Sequence, residues 1–519
     1  MSKKKFSTKI REYAESLCIA FILAMVIRCF VLEAFKIPTG SMEPTLMGDP
    51  ATGDRVLVSK FHYSFSNPQR WDVFVFYCPE RDPDAAYKHY IKRLIGMPGE
   101  TVRLHAGNVY VNDKIARKPL EVQQTLWRPL ANNQLLASSE LIAELNRVRY
   151  QLMMSDRQFA AASAPWFIRA AIIEYEAQLR SLETAQPLEK VYTSAQRLAN
   201  RALPKAVMQS RYADAYPQFN QETRRHFRNQ LQFWIQRREA VEDRVAELNA
   251  RLLENPGQLL QKAMANAWQT EGFDIGTDGS LKATGGNAVA SYRRKIIDGR
   301  FNDFIEVISP LPAASESHAI GTVNANPVGD VKFEFNLDTG ESGEASVLLD
   351  TYGIPFEIGF AAAADGLKVE ILRAGEVAVQ STANSGKFSD GRISITNVEH
   401  LLAVDVHGKR VAEYDYAGEE LPEGKPVGLQ LRASDGVVFS EIELSRDVFY
   451  SRMGPRALPG KSDWGRDNTY VLSEGEYLAL GDNSRNSRDS RDWGPVPDEN
   501  IVGKAFFILT PFGRLSFLE

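Results

Sequence analysis

The spacing of hydrophobic residues changes several times along the 519 residues of the chain. An apolar stretch at 13–32 comes first, and runs rich in β-branched and aromatic residues follow at 33–115, which predicts short strands. The region 133–267 is predicted to be helical, most clearly at Glu222–Leu253, where apolar residues recur mostly at three- and four-residue steps. Residues 268–445 predict strands again, and 446–519 returns to the pattern of 33–115.

The strands predicted at 268–445 favour an antiparallel sandwich. Asp330–Leu337 and Gly391–Thr396 alternate cleanly, and Gly, Asp and Asn residues mark turns at the spacing typical of sandwiches. In strand pattern alone, this segment is similar to the concanavalin-like jelly-roll modules. We also assign 116–132 to the sandwich, with Lys118–Trp127 strand-like or extended. The helices of 133–267 would then be an insertion within an insertion.

The apolar stretch at 13–32 is predicted to be a transmembrane anchor preceded by a basic leader at 1–12. A bilayer needs about 20 apolar residues, and this stretch suffices if the Arg28 side chain reaches toward the far interface. A cleavable signal, a buried core helix and an in-plane amphipathic helix are the alternatives. Cleavage is disfavoured because Leu32 stands where a small residue is required.

Composition narrows the class of protein. Hydrophobic residues make up 44% and charged residues 24%, which indicates globular material. The net charge of −5 and the scattered basic residues do not indicate a nucleic-acid partner. Three cysteines and seven dispersed histidines form no metal-binding pattern, so neither a metal nor a cofactor is expected.

Three motifs far apart in the chain carry candidate chemistry. Phe35–Leu46 places Ser41 in a turn flanked by proline and glycine, and Tyr90–Glu100 places Lys92 in an apolar strand. Gly481–Arg491 begins with Gly-Asp-Asn. Together these motifs resemble the type I signal peptidases, the membrane-anchored Ser/Lys proteases that remove secretory signal peptides. The resemblance covers roughly the first 115 residues and the last 74, with about 330 residues inserted between them.

A lysine can accept a proton only when it is neutral. The reference pKa of lysine is about 10.4, and burial lowers it by as much as roughly 3–5 units. In a strand, Lys92 shares one face with Tyr90 and Leu94, which supplies an apolar surrounding. Lys88 and Arg93, in contrast, are expected to be solvated surface residues.

The resemblance implies a role for individual residues. Ser41 would be the nucleophile, Lys92 the general base, and Ser487 the hydroxyl that orients the lysine amine. The Ser41 backbone N–H and the Thr39 hydroxyl would form the oxyanion hole. In the family, an aromatic residue often follows the arginine that corresponds to Arg491. This chain has Asp492 there, a difference that touches no catalytic group.

The resemblance also implies shallow apolar pockets that admit only small side chains. It further implies that a set of residues in the third motif, here called the structural set, holds the loop in place without a part in catalysis. Each pocket residue is equally compatible with plain core packing. The pocket residues are Phe35, Ile37, Met42, Tyr90 and Ile91. The structural set is Gly481, Asp482, Asn483, Asp489 and Arg491.

The implied protein is a membrane-anchored serine endopeptidase that removes signal peptides from exported preproteins at small-x-small sites. Its fold would combine a mainly β protease core, an N-terminal transmembrane helix, an inserted helical hairpin or bundle, and an antiparallel jelly-roll-like β-sandwich. Secretory preproteins and the lipid bilayer would be its partners, with the protein-translocation machinery as a further candidate. The expected location is the bacterial inner (cytoplasmic) membrane, single-pass, with the catalytic part on the extracytoplasmic side.

Other functions compete with this one. A Ser/His/Asp hydrolase would use His62 or His89 with Asp54 or Asp72, but the chain has no GxSxG motif. A membrane-anchored binding module with a lectin-like sandwich and an inactive peptidase frame is the alternative from another class. A self-cleaving repressor shares the Ser/Lys chemistry but needs a DNA-binding module. We further expect the insertion to be a separate lobe, dispensable for folding of the protease core.

Overall fold

The computed structural model describes a defined part of the chain, and its ranges are residues 16–17, 32–49, 53–79, 88–137, 229, 232, 236, 250, 255–298, 326–384, 390–419, 421–422, 425–451 and 469–518. Two compact units divide the chain. The first comprises 1–135, 264–303 and 317–519, and the second comprises 136–263 and 304–316. Both the motif-bearing segments (33–115 and 446–519) and the described strands of the insertion (116–445) belong to the first unit.

The first motif-bearing segment forms seven strands and one short helix. A 3₁₀ turn at Gly40–Met42 follows the first strand, and helix α1 spans His62–Phe65. The strands are β1 (Leu32–Lys36), β2 (Arg55–Ser59), β3 (Val73–Tyr77), β4 (His89–Gly96), β5 (Thr101–His105), β6 (Asn108–Val111) and β7 (Lys114–Ile115).

The insertion forms two helices and fifteen strands among its described residues. The helices are α2 (Leu120–Leu126) and α3 (Pro256–Ala267). The strands are β8 (Arg128–Ala131), β9 (Trp268–Glu271), β10 (Phe273–Ile275), β11 (Leu281–Ala283), β12 (Ala288–Tyr292), β13 (Val331–Asp338), β14 (Glu344–Thr351), β15 (Ile354–Ala363), β16 (Gly366–Arg373), β17 (Glu376–Asn384), β18 (Asp390–Val398), β19 (Leu401–Val406), β20 (Lys409–Asp415), β21 (Gly428–Ala433) and β22 (Val438–Arg446).

The second motif-bearing segment completes the fold with five strands and helix α4 (Ser490–Trp493). Further 3₁₀ turns lie at Ser484–Asn486, Asp498–Asn500 and Phe512–Arg514. The strands are β23 (Thr469–Val471), β24 (Glu476–Leu480), β25 (Val496–Pro497), β26 (Ile501–Thr510) and β27 (Ser516–Phe517).

The two motif-bearing segments interleave in one core sheet with the order β1-β2-β26-β3-β4-β24-β25, where β27 also pairs with β26. A smaller sheet has the order β23-β5-β6-β7. The central strand β3 is buried on both faces. Val73 and Val75 pack into one apolar cluster, while Phe74 and Phe76 pack into another, as the period of two requires. The strand that carries Lys92, β4, pairs with β3 and is therefore central in the sheet.

The insertion forms two antiparallel sheets, with the orders β10-β11-β22-β13-β18-β19-β20 (β8 also pairs with β22) and β17-β16-β15-β14-β21-β12-β9. Strand β13 alternates strictly, and its buried residues face the other sheet. The Phe335 ring lies 6.2 Å from that of Phe360 on β15, and the Phe333 ring lies 6.3 Å from that of Trp268 on β9. Large rings from both sheets thus fill one interior, as expected for a β-sandwich. The predicted mainly β class with a β-rich core and a sandwich is confirmed.

The segment Lys118–Trp127 was predicted to be strand-like or extended, and this is wrong. It contains helix α2, which begins after Pro119. Val122 and Leu126 lie four residues apart on one helix face and are buried in the apolar cluster that contains Trp71 of the motif-bearing segment. The apolar residues of this segment satisfy a helical period as well as a strand period, and packing against the core decides between them.

The predicted anchor and helices fall largely outside the described residues. Of the stretch 13–32, only 16–17, which are helical, and Leu32, which begins β1, are described. Within the described ranges, no helix is long and apolar enough to cross a bilayer. Of the region 133–267, the structure describes helical residues 133–137, α3 and four isolated helical positions.

Two hairpin tips of the sandwich rest on the motif-bearing segment. In the β14–β15 hairpin, Tyr352 has a left-handed backbone and its hydroxyl donates to the Ala106 carbonyl at 3.1 Å. In the β18–β19 hairpin, Glu399 and His400 are both left-handed, and the His400 Nε2 lies 3.2 Å from the Tyr110 hydroxyl. These buried contacts oppose the hypothesis that the insertion is a separate lobe.

A buried charge cluster lies beside the second tip. Lys118 forms ion pairs with Glu399 and, at 2.9 Å, with Asp447, and all three side chains are almost fully buried. Asp330 accepts a hydrogen bond from the Glu399 backbone at 3.2 Å, and burial raises the pKa of its carboxyl to about 8. Lys118 is therefore the cation that pairs directly with two carboxylates buried away from water.

Lys118→Met should destabilise the protein by about 3–5 kcal/mol, because it leaves buried carboxylates without their cation. The loss should be smaller at pH 5 than at pH 8. Burial raises the folded-state pKa of Glu399 and Asp330, so protonation at low pH removes the unpaired charge. Urea unfolding of the full chain in detergent measures this. Lys368→Met, which removes a partly exposed pair with Glu370, is the control and should cost less than about 1 kcal/mol. Equal losses in the two variants would contradict the cluster's role.

Candidate active site

Ser41 and Lys92 lie side by side although 51 positions separate them in sequence. The Lys92 Nζ is 2.8 Å from the Ser41 Oγ and 3.0 Å from the Ile91 carbonyl oxygen. Ser41 is 8% exposed and Lys92 is 2% exposed. The hydroxyl and the amine therefore share a hydrogen bond away from bulk water, which is the geometry that proton transfer between them requires.

Burial lowers the pKa of the Lys92 amine to about 8, and the carboxylates of Asp489 and Asp482 oppose the shift only in part. Lys92 faces Phe74 across the β3–β4 pair, and its Nζ lies 5.9 Å from the centre of the Tyr90 ring. Apolar neighbours cannot solvate an ammonium ion, so the neutral amine is favoured. Near neutral pH a much larger fraction of Lys92 is then neutral, and able to accept a proton, than of an exposed lysine.

The turn that carries Ser41 is held by the third motif. The Asn483 backbone N–H donates to the Ser41 carbonyl at 3.0 Å, and its side-chain amide donates to the Gly40 carbonyl at 2.9 Å. Gly481 is required here because a Cβ at this position would lie 2.1 Å from the Ser487 Oγ and 2.5 Å from the Ser41 carbonyl oxygen. The nucleophile candidate thus depends on a loop more than 400 positions away.

Thr39 immediately precedes the 3₁₀ turn in an extended conformation. Its side chain is exposed and makes no capping hydrogen bond to the turn. The Thr39 hydroxyl is therefore not used to cap this turn.

Arg93 is not a solvated surface residue, and the prediction of its exposure is wrong. It is 0% exposed and binds the Asp482 carboxylate with two hydrogen bonds of 2.8 Å. Asp482 also accepts hydrogen bonds from the Thr45 hydroxyl at 2.6 Å and the Tyr450 hydroxyl at 3.0 Å. A buried arginine needs such a partner, and the pair ties the second motif to the third. Thr45 and Tyr450 were missed because no local pattern marks a residue that bonds a distant carboxylate.

Asp489 and Arg491 form a second buried pair. The Arg491 Nη2 lies 2.6 Å from the Asp489 Oδ2, and Asp489 also accepts the Gly481 N–H at 3.0 Å. Arg491 in addition donates to the Ser484 carbonyl at 2.7 Å. These bonds fix the loop around Ser487.

Ser487 is 0% exposed, and its Oγ has no hydrogen-bond partner in the structure. The Lys92 amine donates hydrogen bonds to Ser41 and Ile91 rather than to Ser487. The neighbouring hydroxyls are engaged elsewhere, since the Ser484 Oγ bonds Arg491 and the Ser490 Oγ accepts the Ala479 N–H. Ser487 is thus the hydroxyl of this loop that remains unpaired beside the Ser41 carbonyl.

The predicted pocket residues differ in exposure. Ile37 and Met42 are fully buried in one apolar cluster, and Phe35 and Ile91 are partly buried against it. Tyr90 packs edge-on against Trp493, with ring centroids 4.9 Å apart. Trp493 lies one position beyond Asp492, so an aromatic side chain next to Asp492 packs against Tyr90.

The histidines of the rival triad lie elsewhere. His89 packs its ring between Phe35 and Tyr77, and His62 packs against Tyr63. Their proposed orienting carboxylates are also engaged in other contacts. Asp54 pairs with Arg514 and Asp72 with Lys504.

A serine hydroxyl bonded to a buried lysine amine on a β-sheet is the arrangement of the Ser/Lys variants of serine hydrolases. The sequence profile of the family described as "Signal peptidase, peptidase S26" matches residues 10–157 and 447–510. These two segments are similar to the signal peptidase family, and the first of them extends past residue 115 into the insertion.

Curated relatives agree with the profile. The chain is 33% identical over 172 residues to signal peptidase I of Pseudomonas aeruginosa, which covers 30% of this chain and 57% of the relative. It is 42% identical over 123 residues to probable signal peptidase I-2 of Synechocystis, which covers 22% and 52%. It is 37% identical over 123 residues to signal peptidase I of Leptolyngbya laminosa, which covers 23% and 57%. The chain therefore spans little more than half the length of these relatives.

Solved structures also overlap this chain. The carbohydrate-binding module CBM66 from Bacillus subtilis has 11% identity and a TM-score of 0.22, and the overlap covers 34% of this chain and 93% of the module. Bacillus licheniformis β-glucanase has 8% identity and a TM-score of 0.23, and the overlap covers 35% and 92%. At these scores the overlaps carry no inference about ligand or activity.

The Lys92 amine should titrate with a midpoint near 8, because burial disfavours its charged form. Heteronuclear NMR of protein labelled with isotopic lysine measures the midpoint from the Nζ and Cε shifts. Lys92→Arg identifies the resonance by its disappearance. A midpoint at the reference value of about 10.4 would contradict a desolvated amine.

Proposed function

We propose that this protein is a membrane-anchored serine endopeptidase that removes signal peptides from exported preproteins. The observation that carries the proposal is the buried hydrogen bond of 2.8 Å between the Ser41 Oγ and the Lys92 Nζ. The family of the two motif-bearing segments supports the same activity.

In the proposed reaction, neutral Lys92 takes the hydroxyl proton as the Ser41 Oγ attacks the carbonyl carbon of the scissile peptide bond. The resulting ammonium gives that proton to the departing amine when the C–N bond breaks, which leaves an ester on Ser41. Lys92 is then neutral again and takes a proton from the water that hydrolyses the ester. The Ser41 Oγ recovers its proton from Lys92 as the acid product leaves.

The negative oxygen of the tetrahedral intermediate needs donors on its side of Ser41. The Ser41 backbone N–H and the exposed Thr39 hydroxyl are the proposed pair. We assign Ser487 to orientation of the Lys92 amine. The buried Ser487 Oγ makes no other hydrogen bond, which supports its bonding to the Lys92 amine when substrate binds. The set Gly481, Asp482, Asn483, Asp489 and Arg491 keeps the loop in place.

The proposed substrates carry small residues at the positions before the cleaved bond. Phe35, Ile37, Met42, Tyr90 and Ile91 would line the pockets, and fully packed neighbours leave little depth for larger side chains.

The proposed location is the bacterial inner membrane, with the stretch 13–32 as its single anchor. Ser41 follows Leu32 by nine residues, which span at most about 30 Å when fully extended. An anchored chain would therefore hold Ser41 near the membrane surface, where a signal peptide leaves the bilayer. The translocation machinery is a proposed partner on the same ground.

Ser41→Ala should lower cleavage of a secretory precursor by at least about 1,000-fold, because the reaction loses its nucleophile. The measurement is the initial rate of release of mature protein in detergent or proteoliposomes. A precursor with leucine in place of the small residue before the cleaved bond is the substrate control and should remain intact. Equal cleavage by Ser41→Ala and the wild type would refute the proposal and favour the binding-module alternative.

Thr39→Val should lower kcat by about 10²–10³-fold with a smaller effect on KM, because it removes one oxyanion donor. Thr39→Ser keeps the hydroxyl and should retain most of the activity. Steady-state kinetics on a peptide substrate separates the two parameters. If Thr39→Val matches Thr39→Ser, the hydroxyl has no part in the oxyanion hole.

A further inference from the structure

The insertion contributes a side chain to the turn of the candidate nucleophile. Arg128 is the first residue of β8, the strand that pairs with β22 of the sandwich. Its Nη2 donates a hydrogen bond to the backbone carbonyl of Glu43, two residues beyond Ser41. Arg128 is 4% exposed, so this contact is made inside the protein.

The contact completes the set of bonds that hold the turn. The Glu43 N–H donates to the Gly40 carbonyl at 3.3 Å and closes the 3₁₀ turn around Ser41. Asn483 holds the carbonyls of Gly40 and Ser41 from the third motif. Arg128 holds the carbonyl at the far end of the same turn. The turn is thus held by Asn483 from the third motif and by Arg128 from strand β8 of the sandwich.

Arg128 is an expensive residue to bury. The structure gives it no ion pair among the described residues, and its Nε has no hydrogen-bond partner. The carboxylates of Asp482, Glu43 and Asp447 provide its electrostatic compensation. A buried guanidinium with so few direct bonds costs stability, so stability alone does not explain its placement.

Asp298, another residue of the insertion, contacts the loop of the third motif. The Asp298 carboxylate pairs with Arg485 at 3.1 Å and also accepts the Asn326 N–H at 2.6 Å. Arg485 lies in the 3₁₀ turn that begins one residue after Asn483. The insertion therefore contacts both segments that position Ser41.

We propose that Arg128 is a positioning residue for Ser41, through which the inserted sandwich holds the nucleophile turn in its reactive alignment. The proposal rests on the proposed function of Ser41. It assigns the sandwich a part in catalysis without any contact between the sandwich and the reacting atoms.

The test compares Arg128→Met, Arg128→Lys and Arg128→Ala in the full chain with a peptide substrate. Arg128→Met should lower kcat by about 10–100-fold, the effect expected of a nucleophile displaced by about 1 Å. KM should change by less than about threefold, because the substrate pockets are untouched. Arg128→Lys keeps one donor for the Glu43 carbonyl and should recover part of the loss. Methylguanidinium at millimolar concentration should raise the kcat of Arg128→Ala, which a general loss of folding would not allow. Arg432→Met, at an exposed arginine of β21, is the matched control and should keep wild-type kinetics.

Hydrogen–deuterium exchange gives a readout that does not depend on activity. Arg128→Met should increase exchange in the peptide that contains residues 40–44 and leave the peptide of β18 unchanged. If the wild type proves inactive, the proposed function fails, but protection of 40–44 by Arg128 still tests the positioning. Wild-type kcat and unchanged exchange in Arg128→Met would overturn the proposal, as would a loss of kcat that neither lysine nor methylguanidinium relieves.

Discussion

The site depends on the removal of one amine from water. Lys92 lies on a central strand of the core sheet, with apolar rings beside it and the Ser41 hydroxyl at its tip. Burial stabilises the neutral amine relative to the ammonium, and this turns an ordinary lysine into a candidate base. The long segment between the second and third motifs leaves this requirement unchanged, because both motif-bearing segments pair within the same sheet.

The two arginine–carboxylate pairs near Lys92 protect this neutral state. Arg93 binds Asp482, and Arg491 binds Asp489, so each buried carboxylate has its own cation. An unpaired carboxylate at either position would favour the ammonium form of Lys92 and raise its pKa. The pairs also join the second and third motifs to the turn of Ser41. Electrostatics and positioning therefore depend on the same bonds.

Local sequence pattern predicted much of the fold. Strand β13 and strand β18 were located within two residues at each end, because strict alternation is a direct consequence of one buried face. The proximity of Ser41 and Lys92 was implied by the resemblance of their motifs to the signal peptidases, not by local pattern. The burial of Arg93, the helix at Leu120–Leu126 and the contact of Arg128 with Glu43 were not predicted. Each is decided by partners more than 20 positions away, and no local period encodes such a partner.

The strand pair β8–β22 has a consequence for how this chain tolerates so large an added module. Arg128 and Arg446 face each other in register, so the polypeptide enters and leaves the sandwich on adjacent strands about 4.8 Å apart. The peptidase-like core therefore has to bridge only the distance between two paired strands, although some three hundred residues lie between them in sequence. The β8–β22 hydrogen bonds of the sandwich offset the entropic cost of bringing these two chain positions together. An inserted domain of this kind can be replaced by another during evolution, provided that the two ends of the replacement also lie close together.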